Sequence, residues 1–216
     1  MFVAQIYKNK KMENTSKHPF EPFIPLGSTK LIIGTIPPQR FCLPTPVLNE
    51  QDVNFYYGSC DNSFWDLISS SFDVKFDKAN TDNAILQRKN FLKSKQIGIT
   101  DIVDICIHKD GLSSDDKLIE ITFKNLKKLL SDNPQIDTLI YTSEYVKKFI
   151  NRKFYEEIGK TFCHNFSNID KKIQHIFIGE KKYTVMILHS PSPSGLRRLG
   201  TNGKEKRLQQ YKTFLN

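Results

Sequence analysis

Residues 29–35, TKLIIGT, form a short continuous apolar run that stops at Pro37-Pro38. A run of this kind, bounded by turn residues, fits a strand buried on both faces. Proline has no N–H to give to a ladder, so the chain has to leave the sheet there. The rest of the chain alternates helical and extended patterns around it. Residues 62–68 read as a helix start, with apolar residues at 64, 65, 67 and 68, and residues 83–95 as a second amphipathic helix. IGITDIVDI (97–105) alternates and is β-branched, which makes it the second strand. A helix near 122–131 places Leu126, Leu129 and Leu130 on one face and stops before Asn133-Pro134. IDTLIYT (136–142) is the third strand, with helical segments behind it. Two runs flank Gly179-Glu180, of which 183–189 suits a central strand, and a last helix covers 203–215. This order predicts an α/β fold: a three-layer α/β/α arrangement on a short, mostly parallel central sheet. Residues 1–28 read as an N-terminal extension, and 29–216 as a single domain with a basic C-terminal helix.

At 216 residues the chain can bury a sizeable core without staples. Its 16 Phe and 8 Tyr exclude a disordered chain, and ten Gly and ten Pro exclude a collagen-like one. No apolar run approaches the roughly 18 residues of a membrane span. The start, MFVAQIYKNKK, is the reverse of a signal peptide. Cys42, Cys60, Cys106 and Cys163 form no CxxC pair, so neither a disulfide framework nor a zinc site is indicated. The expectation is a cytoplasmic protein, nucleoid-associated if bacterial, with no metal and no redox cofactor. Net charge is +9, and five of those charges fall after residue 195, where six basic residues face Glu205 alone. A basic patch beside a Ser/Pro/Gly loop is the footprint of a polyanion binder. A lysine-rich solvated surface gives the same sum, since only six of the 32 basic residues are Arg. Charge alone leaves both readings open.

Ligands of open α/β sheets bind beyond the carboxyl ends of the strands. Three unusual segments fall at those ends: Gly34-Thr35-Ile36-Pro37-Pro38, Thr142-Ser143, and residues 189–195, HSPSPSG. Together with FYYGSCDNSFWDLI and GITDIVDIC, which is followed by a Gly-Leu/Ser stretch, they resemble the uracil-DNA glycosylase superfamily. The resemblance is nearest its hypoxanthine-DNA glycosylase and mismatch-specific branches and covers about residues 29–200. LIIGTIPP looks like the first motif, whose Gly-x-x-Pro loop shapes the base pocket. LHSPSPSGLRR resembles the second, a Pro-Ser loop that inserts an apolar residue into DNA. Two departures stand out. Ile36 occupies a position where mismatch-specific enzymes have Asn, which places the catalytic burden on Asn62, as in the hypoxanthine-type branch. Tyr141-Thr142-Ser143 replaces that branch's Phe-Asn-Gly, which bears on the base excised.

Each residue has a plainer reading beside the one the resemblance implies. Asn62 before a helix is ordinarily an N-cap; in the family pattern its amide orients water under C1′. Asp61 beside it is a turn residue or an electrostatic partner of the sugar cation. Tyr57 is a core aromatic, or the ring that stacks on a flipped base. Phe64 and Trp65 read as core. His189 is a structural strand-end histidine, or it stabilises the departing base; the extra Ser190 leaves two equal alignments. Ser190, Ser192 and Ser194 are turn residues or phosphate ligands. Gly195 would allow close approach to DNA, Leu196 would be the wedge in the gap left by the base, and Arg197 and Arg198 would flank the backbone. Gly34, Thr35, Ile36, Pro37, Tyr57 and Ser143 make up the expected base pocket.

The resemblance therefore implies a monofunctional DNA base glycosylase, active as a monomer on DNA carrying uracil, hypoxanthine or another modified base. A catalytically inactive nucleic-acid-binding relative is the alternative, and a nucleoside hydrolase would leave the basic C-terminus unexplained.

Overall fold

The computed structural model describes residues 15–109, 114–158, 165–166 and 173–215. In chain order the elements are β1 (Thr15–Lys17), β2 (Lys30–Gly34), α1 (Phe64–Phe72), α2 (Asp82–Ser94), β3 (Ile97–Asp101), β4 (Val103–His108) and β5 (Leu118–Phe123). They continue as α3 (Leu126–Asp132), β6 (Thr138–Tyr141), α4 (Glu144–Ile158), β7 (Asn165–Phe166), β8 (Ile173–Ile178), β9 (Lys181–Ile187), α5 (Pro193–Arg198) and α6 (Gly203–Leu215).

The central sheet has the order β3-β2-β6-β9-β8-β7. Its first four strands are parallel, and β8 and β7 add an antiparallel edge. The apolar run is β2, flanked by β3 and β6. The chain moves from β2 out to β3 and then crosses back to β6, so the topological switch point lies between β2 and β6. That is where a doubly wound sheet opens a ligand crevice.

Side-chain alternation along the strands divides the interior into two layers. Leu31, Ile33, Leu139, Val185 and Ile187 face Leu126 and Leu130 of α3 and Val146 and Ile150 of α4. Ile32, Ile97, Ile99 and Ile140 face Phe64 and Trp65 of α1, Phe91 and Leu92 of α2, and Tyr211 and Phe214 of α6. The fold is the α/β/α arrangement expected. A small antiparallel sheet, β1-β4-β5, packs Val103, Cys106 and Leu118 into the first of these layers.

Several boundaries differ from the sequence expectation. Residues 97–105 are two strands. β3 ends at Asp101; Ile102 N then donates to Gly34 O and Val103 N to Thr35 O, and β4 turns away to pair with β5 and β1. The helix expected near 122–131 starts at Leu126, capped by Asn125 Oδ1 on Lys128 N, and residues 118–123 are strand. The loop at 189–198 closes into α5. Residues 15–28 pack onto the sheet: Phe23 bridges Ile99, and His18 N donates to Asp104 O. Cys163 and the Gly-Leu/Ser stretch at 111–113 lie outside the described residues.

Candidate functional site

The carboxyl ends of β2, β3, β6 and β9 meet at one edge of the sheet. At the crevice between β2 and β6, Thr142 Oγ1 lies 2.8 Å from the Tyr57 hydroxyl. The Thr142 hydroxyl itself donates to Ile33 O at 3.3 Å, so Tyr57 is the donor in the first contact. Tyr57 is half-buried with φ of 56°, and its ring stacks on Phe64 at 4.3 Å. Burial, and then the negative charge of Asp101, hold its phenol well above the ordinary value. Gly34 has to be glycine: an added Cβ would stand 2.1 Å from both the Tyr57 hydroxyl and Asp101 Oδ1. Phenol, carboxylate and β2 terminus thus converge on one point.

The next residues continue from the end of β2. Thr35 Oγ1 donates to Asp115 Oδ2 at 3.2 Å. Burial pushes the Asp115 carboxyl up to about 7; the Thr35 hydrogen bond opposes the rise, Asp101 and Asp116 add to it, and Arg198 opposes it. Ile36 packs against the aliphatic layer, and Pro37 is buried. Ser143 Oγ accepts from Val146 N and caps α4, which leaves Thr142 as the residue of that pair facing Tyr57.

The two motif segments also meet. Ser63 N and Ser63 Oγ both donate to Pro191 O, at 3.1 and 2.8 Å, although the residues are 128 apart in sequence. Asn62 therefore stands beside the serine loop. Its Oδ1 accepts from Phe64 N at 2.9 Å, so it holds the first helical amide from one residue before the N-cap, Ser63. Among the described residues no hydrogen bond engages its Nδ2, so one side chain can hold that amide and a ligand. Ser190, Ser192 and Ser194 form a hydroxyl chain at 2.9 and 3.0 Å, and Ser192 Oγ accepts Gly195 N as the cap of α5. Buried Arg207 donates to Ser190 O at 2.8 Å and Ser192 O at 3.3 Å. Gly195 is required inside the chain, since a Cβ would sit 2.7 Å from Ser190 Cβ and O. Leu196 is half-buried with its Cδ1 over Gly203, while Arg197 and Arg198 are exposed, Arg198 lying 6.0 Å from the Tyr145 ring. His189 is half-buried; its N donates to Gln210 Oε1 and its O accepts from the Tyr211 hydroxyl.

Three contributors went unread in the sequence. The loop bearing Tyr57 and Asn62 is clamped by Arg40, whose Nε and Nη2 reach both oxygens of Asp52 at 2.8 and 2.9 Å and whose Nη2 reaches Ser59 Oγ. Asp52 also accepts from Asn49 N and Cys60 N. Burial alone would raise its carboxyl; Arg40 and those amides outweigh it and bring it down to about 2. Asp101 and His18 are the second and third: His18 Nε2 donates to Asp101 Oδ2 at 2.8 Å across 83 residues. Asp101 offered a signal, a charge inside an apolar, β-branched run; His18 offered none. Among the described residues no group of three or more His, Cys, Asp or Glu is placed to hold a metal, and no helix is long and apolar enough to cross a membrane.

No protein-family model and no curated protein matches the chain. Its fold is similar to the solution NMR structure of a "putative Uracil DNA glycosylase" from Methanosarcina acetivorans, with a TM-score of 0.55 and 16% identity over 91% of this chain and 97% of that one. The likeness is one of fold: the same α/β/α arrangement on a mostly parallel sheet.

Proposed function

We propose that this protein is a monofunctional DNA base glycosylase. The observation that carries the reading is the double hydrogen bond from Ser63 to Pro191 O, which brings Asn62 and the serine loop to one wall of the switch-point crevice. An altered nucleotide would be extruded into the space bounded by residues 34–37, Tyr57 and the 189–196 loop. Asn62 Nδ2 would hold a water beneath C1′ while the C1′–N bond breaks. An amide suits this task because it orients water without adding charge beside an oxocarbenium-like sugar. Backbone amides around the crevice would stabilise the base as it departs. Leu196 would occupy the gap in the duplex, with Arg197 and Arg198 on phosphates, so affinity falls steeply with salt.

One observation favours a second reading, a non-catalytic nucleic-acid binder: Asn62 Oδ1 is already used on the first helical amide. Duplexes carrying a single uracil, hypoxanthine, xanthine or bulkier modified base separate the two. Alkali-sensitive abasic sites in at least one duplex support the glycosylase and name its base. Salt-sensitive binding with no abasic product from any duplex supports the binder.

A further inference from the structure

His18 belongs to the segment preceding β2, yet its ring reaches Asp101 at the end of β3. Its side chain is wholly buried, whereas 7% of the Asp101 side chain remains exposed. Nδ1 lies 2.9 Å from Phe20 O, 3.0 Å from Lys124 Nζ and 3.1 Å from Phe20 N, and Lys124 Nζ also donates to Phe20 O at 2.9 Å. Asp101 Oδ2 can only accept, so the proton of this contact sits on Nε2, and Nδ1 accepts from Lys124 Nζ and Phe20 N. Oδ1 is left toward Gly34 and the Tyr57 hydroxyl, and among the described residues nothing hydrogen-bonds to it.

We propose that His18, braced by Lys124, is a positioning residue of the site: it pins one oxygen of Asp101 so that the other faces the crevice as a fixed acceptor for an N–H of the extruded base. The inference deepens the glycosylase reading and rests on it for the identity of the ligand. A carboxylate can turn about its Cβ–Cγ bond, and a crevice that has to recognise a base edge gains from removing that freedom beforehand. The brace also explains why a segment outside the α/β/α core is held so tightly: Phe20 and Tyr56 pack on His18, with ring centroids 5.8 and 5.6 Å away. A fixed acceptor demands a base that presents a hydrogen on nitrogen. A base alkylated at that nitrogen would be refused.

The test compares His18→Ala, His18→Gln, Asp101→Ala and the double variant His18→Ala/Asp101→Ala. Glutamine keeps an N–H donor near the place of Nε2. Two readouts are taken: single-turnover base release, and affinity for uncleavable duplexes carrying 2′-fluoro-deoxyuridine or 2′-fluoro-deoxyinosine relative to an unmodified duplex. His18→Ala is expected to lower both release and the preference for the modified duplex about tenfold or more, as loss of a charge-assisted hydrogen bond does. His18→Gln recovers most of that loss. In the double variant the losses do not add, because His18 acts only through Asp101. Wild-type behaviour of His18→Ala, additive losses, or equal losses for Ala and Gln at matched melting temperature would overturn the inference while leaving the glycosylase reading intact. If wild type releases no base yet prefers the 2′-fluoro duplexes with this same pattern, the glycosylase reading fails and the positioning role stands. If wild type shows no preference among the duplexes, the positioning role fails.

Discussion

On the α1/α5 wall of the crevice, backbone carbonyls are met by hydroxyls and a guanidinium: Ser63 on Pro191 O, and Arg207 on Ser190 O and Ser192 O. Where residues 15–28 strap the sheet before β2, ionisable side chains meet in the interior: Lys124 on His18, and His18 on Asp101. The first arrangement fixes loop shape and leaves polar groups such as Asn62 Nδ2 near solvent. The second fixes one side chain in a low-dielectric setting, where an unpaired partner is costly. Chemistry is therefore expected to fail first when the α1/α5 wall is altered, and folding when buried charges lose their partners.

The largest effect expected is on catalysis at the α1/α5 wall. Asn62→Ala should lower base release by about 10²–10³-fold, the usual cost of deleting one positioned polar group, with duplex affinity unchanged. Melting temperature should fall modestly as well, because the bond to Phe64 N is lost; a loss of release no larger than in a control variant of equal melting temperature would mean that this bond is the whole role of the residue.

Stability effects come next. Arg40→Ala strands the buried Asp52 carboxylate and should cost about 3 kcal/mol in urea denaturation. The linkage sign is that of a depressed carboxyl. Its contribution is present above the ordinary carboxylate range and is lost as pH falls toward about 2. Arg40→Ala should remove that acid-limb dependence. Asp115 has the opposite sign. Its carboxyl is raised to about 7 in the folded chain, so its ionisation weakens folding as pH climbs from the ordinary range to about 7. Asp115→Asn should flatten that decline in a series of melting curves.

The smallest effect is electrostatic. Arg197→Ala and Arg198→Ala should each reduce the slope of log affinity against log salt by about one, with little change in fold. An unchanged slope would place the phosphate contacts elsewhere on the basic surface.

The contrast between the two regions also explains what could be read from the chain. β2, the helix beginning near Asn62 and α6 were legible because each is set by local periodicity and local stop signals. The α1/α5 wall was legible because its segments have unusual composition, YYGSCDNSFW and HSPSPSG, even though their contact spans 128 residues. Strand-end position singled out Thr142-Ser143, but not which of the two hydroxyls faced Tyr57. The break at Ile102 was hidden because residues 97–105 alternate throughout; backbone bonds to Gly34 O and Thr35 O decide it. The strap was hidden for a different reason. A histidine in HPFEPF carries no local pattern, and its meaning depends on a carboxylate 83 residues away and an ammonium 106 residues away.

The central claim is that this crevice breaks an N-glycosidic bond by way of Asn62. The most direct measurement is a single-turnover time course of free-base release, with wild type or Asn62→Ala in excess over each modified duplex and binding followed in the same samples. Release by wild type, lost in a variant that still binds, is the predicted result. Equal release by both proteins would contradict the role of Asn62, and binding without release from any duplex would contradict the glycosylase itself.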